Sequence, residues 1–354
     1  MDEKIEYFVG IDLHKKFMHV AILDSKGEVL DDFRLDCDFD TIRKKFSKMP
    51  RNTKYVLESS SVWYGIYRLL TDELGLDVIL SHPYHTRLIA ESKKKTDKID
   101  AIILADMLRG GFIVECHVPD ADVVQNRQLV RYRASLVKSR TSYKNMIHGI
   151  LLQDNIKIDG ISFSNPWIGK VRKLNDWRID QNLGIIAYLD DCIASTNIRI
   201  SNAIKDNEDA KLLLSIPGVG NLTALTLAAE IDEIDRFHSA DKLVSYFGLV
   251  ASVRRSAESV HHGKITKKGN SMVRHLIVEA ILVHCNTMRR KKSSTPVSEF
   301  YNRLAKRCIM SKARVAAGAK LLRIIYWMLK KRIDFDSCIK EGRKSTYREP
   351  KTHS

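Results

Sequence analysis

The feature that most constrains the fold is a series of short apolar segments in the first hundred residues. YFVGIDLH and KFMHVAILD predict two β-strands joined by a turn at His14–Lys15, and a hairpin turn at Ser25–Gly27 leads into a further strand, EVLDDFRLD. Two later apolar runs, TKYVLES and DVILSHP, alternate with helical patterns. Strands and helices in this order predict an α/β layer fold, in which helices pack on one sheet.

The middle of the chain has helical periodicity in place of strand alternation. The segment NRQLVRYRASLVKSRTSYKNMIHGILLQ predicts one long helix or a coiled-coil arm. DGISFSNPWIGK interrupts this helix, and LGIIAYLDDCIASTNIRISNAIK predicts an antiparallel partner for it. A third, mainly α-helical part follows, and it includes the amphipathic segment ARVAAGAKLLRIIYWMLKKR. The predicted domains are residues 1–118, 119–208 and 209–340, followed by a flexible tail at 341–354.

Basic charge is concentrated in the last third of the chain. The sequence carries 59 Lys and Arg residues against 43 Asp and Glu, a formal net charge of +16. Residues 251–354 alone hold 25 basic and 7 acidic side chains, a net charge of +18. Phosphate contacts require such clustering, so we expect a nucleic-acid partner. A solvated basic helical surface is the alternative.

Several classes of protein are excluded by what the sequence lacks. The six cysteines form no C-x-x-C pair, which argues against a zinc ribbon or a thioredoxin-type site and fits a reducing cytoplasm. The first residues contain no long apolar core, so no signal peptide is predicted. No apolar run reaches the roughly 18 residues of a membrane span. We therefore expect a cytoplasmic protein without a membrane partner.

Four acidic residues stand where strands end or a helix begins. Asp12 follows the apolar part of the first strand, Glu58 ends the run TKYVLE, and Asp97 and Asp100 open the predicted helix KIDAIILADMLRGG. A spacing of three residues puts the last two carboxylates on one helical face. Converging carboxylates repel each other unless a cation neutralises them, and oxygen ligands select Mg²⁺ or Mn²⁺. Alternatively they are ordinary surface carboxylates, with Asp97 as a helix cap.

A helix-hairpin-helix pattern lies in LLLSIPGVGNLTALTLAAEI. One helix ends near Ile216–Pro217, a tight turn contains Gly218 and Gly220, and a second apolar helix follows. Glycines let the backbone approach a phosphate, and the second helix offers amide groups and the positive end of its dipole. Many such hairpins serve only in packing, and that alternative stays open here.

A serine surrounded by basic residues follows this hairpin. Arg254 and Arg255 directly precede Ser256, and further cations flank a predicted hairpin turn and open the next helix: Lys264, Lys267, Lys268 and Arg274. A hydroxyl group among guanidinium groups can attack a phosphodiester, with the cations stabilising the transition state. More commonly, a serine in such surroundings only donates a hydrogen bond to phosphate.

An ordered series of motifs carries a resemblance to a known family. The motifs are GIDLHKK, LES, KTDKIDA, SIPGVGNLTA, YFGLV and HGKITKKGN. The series resembles the insertion-sequence transposases that join an N-terminal RuvC-like domain to a C-terminal transposase domain, the bridge-RNA-guided serine recombinases, over residues 7–285. The resemblance implies a RuvC-like RNase H fold, with Asp12, Glu58, Asp97 and Asp100 as an Asp-Glu-Asp-Asp set of metal ligands.

The same resemblance implies that Ser256 is the nucleophile that forms a transient 5′-phosphoserine link to DNA. It also implies dimers that assemble into tetramers, with each active site combining an acidic set and a serine from different protomers. A structured noncoding guide RNA would pair with target and donor DNA. The family's serine is usually followed by glycine, whereas Ala257 follows here, and Ser252 and Ser259 are the nearby alternatives.

The sequence therefore predicts a Mg²⁺-dependent, RNA-guided DNA transposase that excises and inserts its own element, acting at the nucleoid of a prokaryote. One rival is a metal-dependent nuclease or Holliday-junction resolvase that uses the acidic set and water, without a covalent step. The other is a non-catalytic nucleic-acid-binding protein. The presence of acidic residues at all four positions argues against this second rival.

Overall fold

The computed structural model describes residues 5–82, 96–255 and 260–344. The chain forms two compact units, Met1–Val118 and Pro119–Ser354. The first unit is a sheet with helices and the second is mostly helical, as the sequence patterns predict. Both the predicted arm and the predicted C-terminal domain belong to the second unit, and the boundaries between them stay a prediction.

Within its described residues, 5–82 and 96–118, the first unit has a five-stranded sheet: β1 (Tyr7–Leu13), β2 (Phe17–Asp24), β3 (Val29–Asp36), β4 (Thr53–Glu58) and β5 (Asp77–Ser81). Their spatial order is β3-β2-β1-β4-β5. The first three strands pair antiparallel, whereas β4 runs parallel to β1 and β5 parallel to β4. All five strands were expected from apolar runs in the sequence, and this mixed sheet is compatible with a RuvC-like fold.

Helices cover both faces of the sheet: α1 (Phe39–Phe46), α2 (Trp63–Arg68) with the π-helical turn Leu69–Glu73 after it, and α3 (Asp97–Arg109). Successive residues of a strand point to opposite faces. Val9 and Ile11 of β1 are therefore buried together on one face, under α1 and α2. Gly10 and Asp12 lie on the other face, which α3 covers.

Helix α3 lies close to β1 because small residues face each other across the contact. Ala101 and Ala105 of α3 are fully buried. A Cβ atom at Gly10 would lie only 2.1 Å from the carbonyl oxygen of Ala101, so any side chain there would displace the helix. This close packing places the first turn of α3 near the end of β1.

The second unit begins with two long antiparallel helices: α4 (Ala121–Gln153) and α6 (Trp177–Lys205). Their direction follows from side-chain hydrogen bonds at both ends, since Arg133 bonds Asn197 (2.6 Å) and Arg178 bonds Asp154 (3.4 Å). The expected antiparallel return of the chain is confirmed, while a coiled coil stays a prediction. The segment between them contains a short helix, α5 (Asn165–Arg172), which Ser164 caps and which has a proline in its first turn.

The remaining elements of the second unit are α7 (Glu208–Leu214), α8 (Asn221–Ile231), a 3₁₀ turn (Ile234–Arg236), α9 (Ala240–Tyr246), β6 (Ala251–Arg255), β7 (Val260–Ile265), α10 (Ser271–Arg290), α11 (Pro296–Ala305), α12 (Met310–Lys331) and α13 (Phe335–Lys344). Helices α7 to α13 share one apolar core, and Ile265 of β7 packs against it. Strands β6 and β7 pair antiparallel. The turn that ends at Gly269, predicted as a hairpin turn, instead leads from β7 into α10, because the Asn270 side chain caps that helix. Within the described residues, no helix combines the length and apolarity needed to cross a membrane.

Candidate active site

Asp12 and Glu58 lie side by side at one edge of the sheet. Strands β1 and β4 run parallel, and their register pairs Ile11 with Leu57, so the next residues of the two strands are Asp12 and Glu58. Asp12 is only 5% exposed. Since parallel strands end at the same edge of a sheet, the sequence expectation that these two acids converge agrees with the register.

Asp97 and Asp100 bring two further carboxylates to the same edge from the first turn of α3. Burial raises the pKa of Asp12, and the negative charges of Asp100 and Asp97 raise this pKa further, while His14 lowers it. The N-cap of α3 is Thr96, whose hydroxyl accepts a hydrogen bond from the Ile99 amide. Thr96, and not Asp97, is therefore the residue that caps α3.

His14 joins this cluster, although sequence reasoning placed it only in a turn. Its Nε2 atom lies 3.2 Å from Oδ2 of Asp12 and 3.3 Å from Oδ1 of Asp97. The sequence contains a usable signal, because residues two apart in an extended chain share a face, and His14 stands two residues after Asp12. That signal is weak by itself, since it does not show that α3 ends on the same face.

An ion pair joins the first turn of α3 to β3, the strand at the edge of the sheet. Nζ of Lys98 lies 2.7 Å from Oδ2 of Asp32 on β3, and this hydrogen bond lowers the pKa of Asp32. Nε2 of His19, which pairs with Asp12 across β1 and β2, lies 3.6 Å from the same carboxylate. The pair helps to orient Asp97 and Asp100, which flank Lys98 on the helix.

The turn between α7 and α8 is held by the core beneath it. Gly218 has a φ of +94°, and a Cβ atom there would lie 2.6 Å from the backbone nitrogen of His284. The buried His284 ring is 2.7 Å from both the Pro217 carbonyl oxygen and the Thr295 hydroxyl. Packing thus accounts for glycine at 218. Gly220 has no described atom within 4 Å of its Cβ position, and phosphate contact at Gly218 or Gly220 stays a prediction.

Two family models match the chain. DEDD_Tnp_IS110, described as a transposase, matches residues 9–155, and a model described as "Transposase IS116/IS110/IS902 family" matches residues 210–297. A protein of Sinorhizobium fredii with the name "Putative transposase y4qE" is 30% identical over 280 residues, which cover 77% of this chain and 70% of that protein. The chain belongs to the IS116/IS110/IS902 family of transposases.

Two insertion-sequence transposases match over nearly the whole chain. The transposase for element IS1111A of Coxiella burnetii is 26% identical, over 91% of this chain and 89% of that protein. The transposase for element IS1328 of Yersinia enterocolitica is also 26% identical, over 90% of this chain and 95% of that protein. The first family model spans all four acidic positions, and the second spans the hairpin and Ser256.

The acidic cluster of this transposase has the chemistry of a divalent cation site. Its donors are carboxylate oxygens, and the pKa of Asp12 is raised mainly by burial and further by the charges of Asp100 and Asp97, while His14 lowers it. Asp12, Glu58, Asp97 and Asp100 are the residues that would hold the ion. Bound there, a divalent cation would polarise a phosphate group and stabilise the charge that develops during strand cleavage.

Arg274 has a structural role in the transposase that the sequence did not reveal. Its guanidinium donates hydrogen bonds to the carbonyl oxygens of Phe247 (3.2 Å) and Gly269 (2.8 Å). These bonds fasten the start of α10 to the end of α9. Lys267 and Lys268 precede this junction and are exposed. A contact of Lys267, Lys268 or Arg274 with nucleic acid stays a prediction.

The predicted nucleophile, Ser256, lies outside the residues that the structure describes, as do Ala257 and Ser259. Strand β6 ends at Arg255 and β7 begins at Val260, and these two residues pair in the sheet. Arg254 and Arg255 therefore belong to β6, and Lys264 belongs to β7. The roles proposed for these residues rest on sequence alone.

Proposed function

We propose that this transposase cleaves and rejoins DNA at the ends of a mobile element, with Mg²⁺ or Mn²⁺ bound by Asp12, Glu58, Asp97 and Asp100. The observation that carries the proposal is the buried carboxylate of Asp12, whose pKa is raised by burial and by Asp100 and Asp97. Placing an acid in such surroundings opposes folding unless a cation joins it. A buried acid that lowers the stability of the metal-free protein therefore supports a role in binding a cation.

Ser256 is the proposed nucleophile of the strand-cleavage step. Its hydroxyl oxygen attacks the phosphorus, a serine–phosphate bond forms, and the bond to the 3′ oxygen breaks to release a 3′-hydroxyl. A general base takes the serine proton, the departing 3′ oxygen takes a proton from solvent, and Arg254 and Arg255 stabilise the charge on the phosphate oxygens. This 5′-phosphoserine link keeps the energy of the phosphodiester, so strands can be rejoined without ATP. The family resemblance and the position of Ser256 after two arginines support this step.

Guidance by a structured noncoding RNA and assembly from dimers to tetramers complete the proposal. Both come from the family resemblance, and the +18 charge of residues 251–354 is consistent with binding a long polyanion. Large apolar side chains of α6 are exposed, among them Trp177 and Tyr188 at 68% each. These side chains support protomer contact through the two long helices.

Trapping of a covalent adduct tests the proposed chemistry. Labelled element-end DNA, with guide RNA and Mg²⁺, is incubated with the wild type, Ser256→Ala and Asp12→Asn, and resolved on a denaturing gel. The wild type is expected to give an adduct that maps to Ser256 by peptide analysis. Ser256→Ala and Asp12→Asn are both expected to lose the adduct while they keep DNA and RNA binding. Asp36→Asn, an exposed change on β3, is the matched control and keeps activity.

Three results would overturn parts of the proposal. An adduct on Ser252 or Ser259 would move the nucleophile. Cleavage by Ser256→Ala at the wild-type rate, metal-dependent and without any adduct, would show the water-using nuclease. Cleavage that survives Asp12→Asn would remove the acidic cluster from the reaction altogether.

A further inference from the structure

His14 lies within the acidic cluster without being one of its four carboxylates. Donor atoms of His14, Asp12 and Asp97 all lie within 4.8 Å of one another. We infer that His14 is a further metal ligand, and that its nitrogen makes the site bind Mn²⁺ in preference to Mg²⁺. This inference rests on the proposed metal-binding function and adds to it a residue outside the acidic set and a choice of metal.

The distances from His14 to the two carboxylates suit ligands of one ion. Ligands about 2.1 Å from an ion are about 3.0 Å apart at right angles and about 3.4 Å apart in a tetrahedron. The observed separations from His14 Nε2 are 3.2 Å to Asp12 and 3.3 Å to Asp97, between these two values. A hydrogen bond has a similar length, so a spectroscopic test has to distinguish the two.

The β1–β2 hairpin holds His14 in place. The His14 amide donates a hydrogen bond to the Phe17 carbonyl oxygen (2.9 Å), and the two rings pack with centroids 4.8 Å apart. The Arg34 guanidinium lies 3.8 Å from the centre of the Phe17 ring and helps to fix it. The His14 side chain is nevertheless 41% exposed, so an ion can reach it from solvent. A ligand held in this way loses little freedom on binding metal.

The nitrogen donor decides which ion the site prefers. Mg²⁺ binds through oxygen ligands and water, whereas first-row transition ions accept imidazole nitrogen readily. Mn²⁺ takes both donor types, so a site with carboxylates and one imidazole discriminates in its favour. Removal of His14 would thus weaken Mn²⁺ binding far more than Mg²⁺ binding.

Pulsed electron paramagnetic resonance of Mn²⁺ bound to the full chain tests this directly, because it detects coupling to a ligating ¹⁴N nucleus. The wild type is expected to show nitrogen modulation, and His14→Ala and His14→Gln are expected to lose it. By calorimetry, His14→Ala should weaken Mn²⁺ binding about tenfold and Mg²⁺ binding less than about twofold. His238→Ala, which removes an exposed histidine of the second unit, is the control and should change neither.

Modulation that persists in both His14 variants would overturn the inference. Equal weakening of Mn²⁺ and Mg²⁺ would also overturn it, since it would show that His14 only orients the carboxylates. Asp12→Asn separates this inference from the proposed function. If Asp12→Asn still binds Mn²⁺ as the wild type does, the acidic metal site itself is refuted. If Asp12→Asn abolishes Mn²⁺ binding but the wild type shows no nitrogen modulation, only the role of His14 is refuted.

Discussion

At the scale of single residues, Asp12 shows how a buried carboxylate close to other acids opposes folding. Its carboxylate is buried, and the neighbouring carboxylates of Asp97 and Asp100 raise its pKa further, while His14 offsets part of this effect. An acid whose pKa is higher in the folded state than in the unfolded state weakens the fold wherever it is ionised. The penalty is present above the folded-state pKa and disappears below the ordinary value of 3.8.

Asp12→Asn is therefore expected to stabilise the metal-free protein by about 1 kcal/mol at pH 7, because it removes a buried charge. The difference in stability between Asp12→Asn and the wild type should shrink as the pH falls through the raised pKa of Asp12. Denaturation in EDTA from pH 7 to pH 4.5 measures it, with Asp36→Asn as the exposed control. Added Mn²⁺ should raise the Tm of the wild type and of Asp36→Asn, but not that of Asp12→Asn. A wild type more stable than Asp12→Asn in EDTA at pH 7 would contradict this account.

At the scale of elements, the position of α3 on the sheet decides whether the carboxylates meet. The strands carry Asp12 and Glu58 to one edge by register, but Asp97 and Asp100 arrive only because α3 packs tightly over Gly10. The Asp32–Lys98 pair adds a second attachment for the first turn of the helix.

Gly10→Ala is expected to move α3 away from β1, because its methyl group would overlap the Ala101 carbonyl oxygen. The expected loss of stability is about 2–3 kcal/mol, with weaker metal binding at the displaced carboxylates. Gly149→Ala, in the interior of α4 with open space around its Cβ position, is the matched control and should be neutral or slightly stabilising. Urea denaturation and metal titration of both variants measure the two effects. Equal stability of the two variants would refute the close-packing argument.

Alternating apolar runs are strong local signals, and for this reason the strands and the long helices could be predicted from the sequence. The sequence did not predict that His14 belongs to the acidic cluster, because this depends on which face of β1 is covered by α3. The hydrogen bond from Arg274 to the Phe247 carbonyl oxygen joins residues 27 positions apart, so no local pattern reveals it. The contact of Arg274 with nucleic acid stays a prediction. The packing of Gly218 on α10 is non-local in the same way.

At the scale of the whole molecule, basic residues and core residues of the second unit lie on the same helices. Many basic residues of 271–344 lie on helices whose apolar faces complete the core, for example Ile277 of α10 and Leu321 of α12. Removal of all residues after 250 would therefore unfold this unit. Neutralising exposed side chains tests the electrostatic contribution without this damage.

A fourfold Lys/Arg→Gln variant at the exposed end of α10 is expected to reduce the salt dependence of DNA binding. Each lost phosphate contact lowers the slope of log K against log salt by about 0.9, so the full set gives a reduction of about 3 to 4. Filter binding across a salt series measures the slope, and an unchanged slope would reject this surface as a phosphate contact. The four positions are Arg289, Arg290, Lys291 and Lys292. The matched control changes four exposed cations of the first unit: Lys26, Lys44, Lys48 and Arg51.

Anomalous diffraction from crystals grown with Mn²⁺ tests most directly whether the four acidic residues of the first unit bind a divalent cation. We expect an anomalous peak about 2.0–2.2 Å from a carboxylate oxygen of Asp12, within reach of Glu58, Asp97 and Asp100. The peak should be absent from Asp12→Asn crystals of the same form. Wild-type crystals that retain the fold and bind Mn²⁺ only elsewhere would contradict the account.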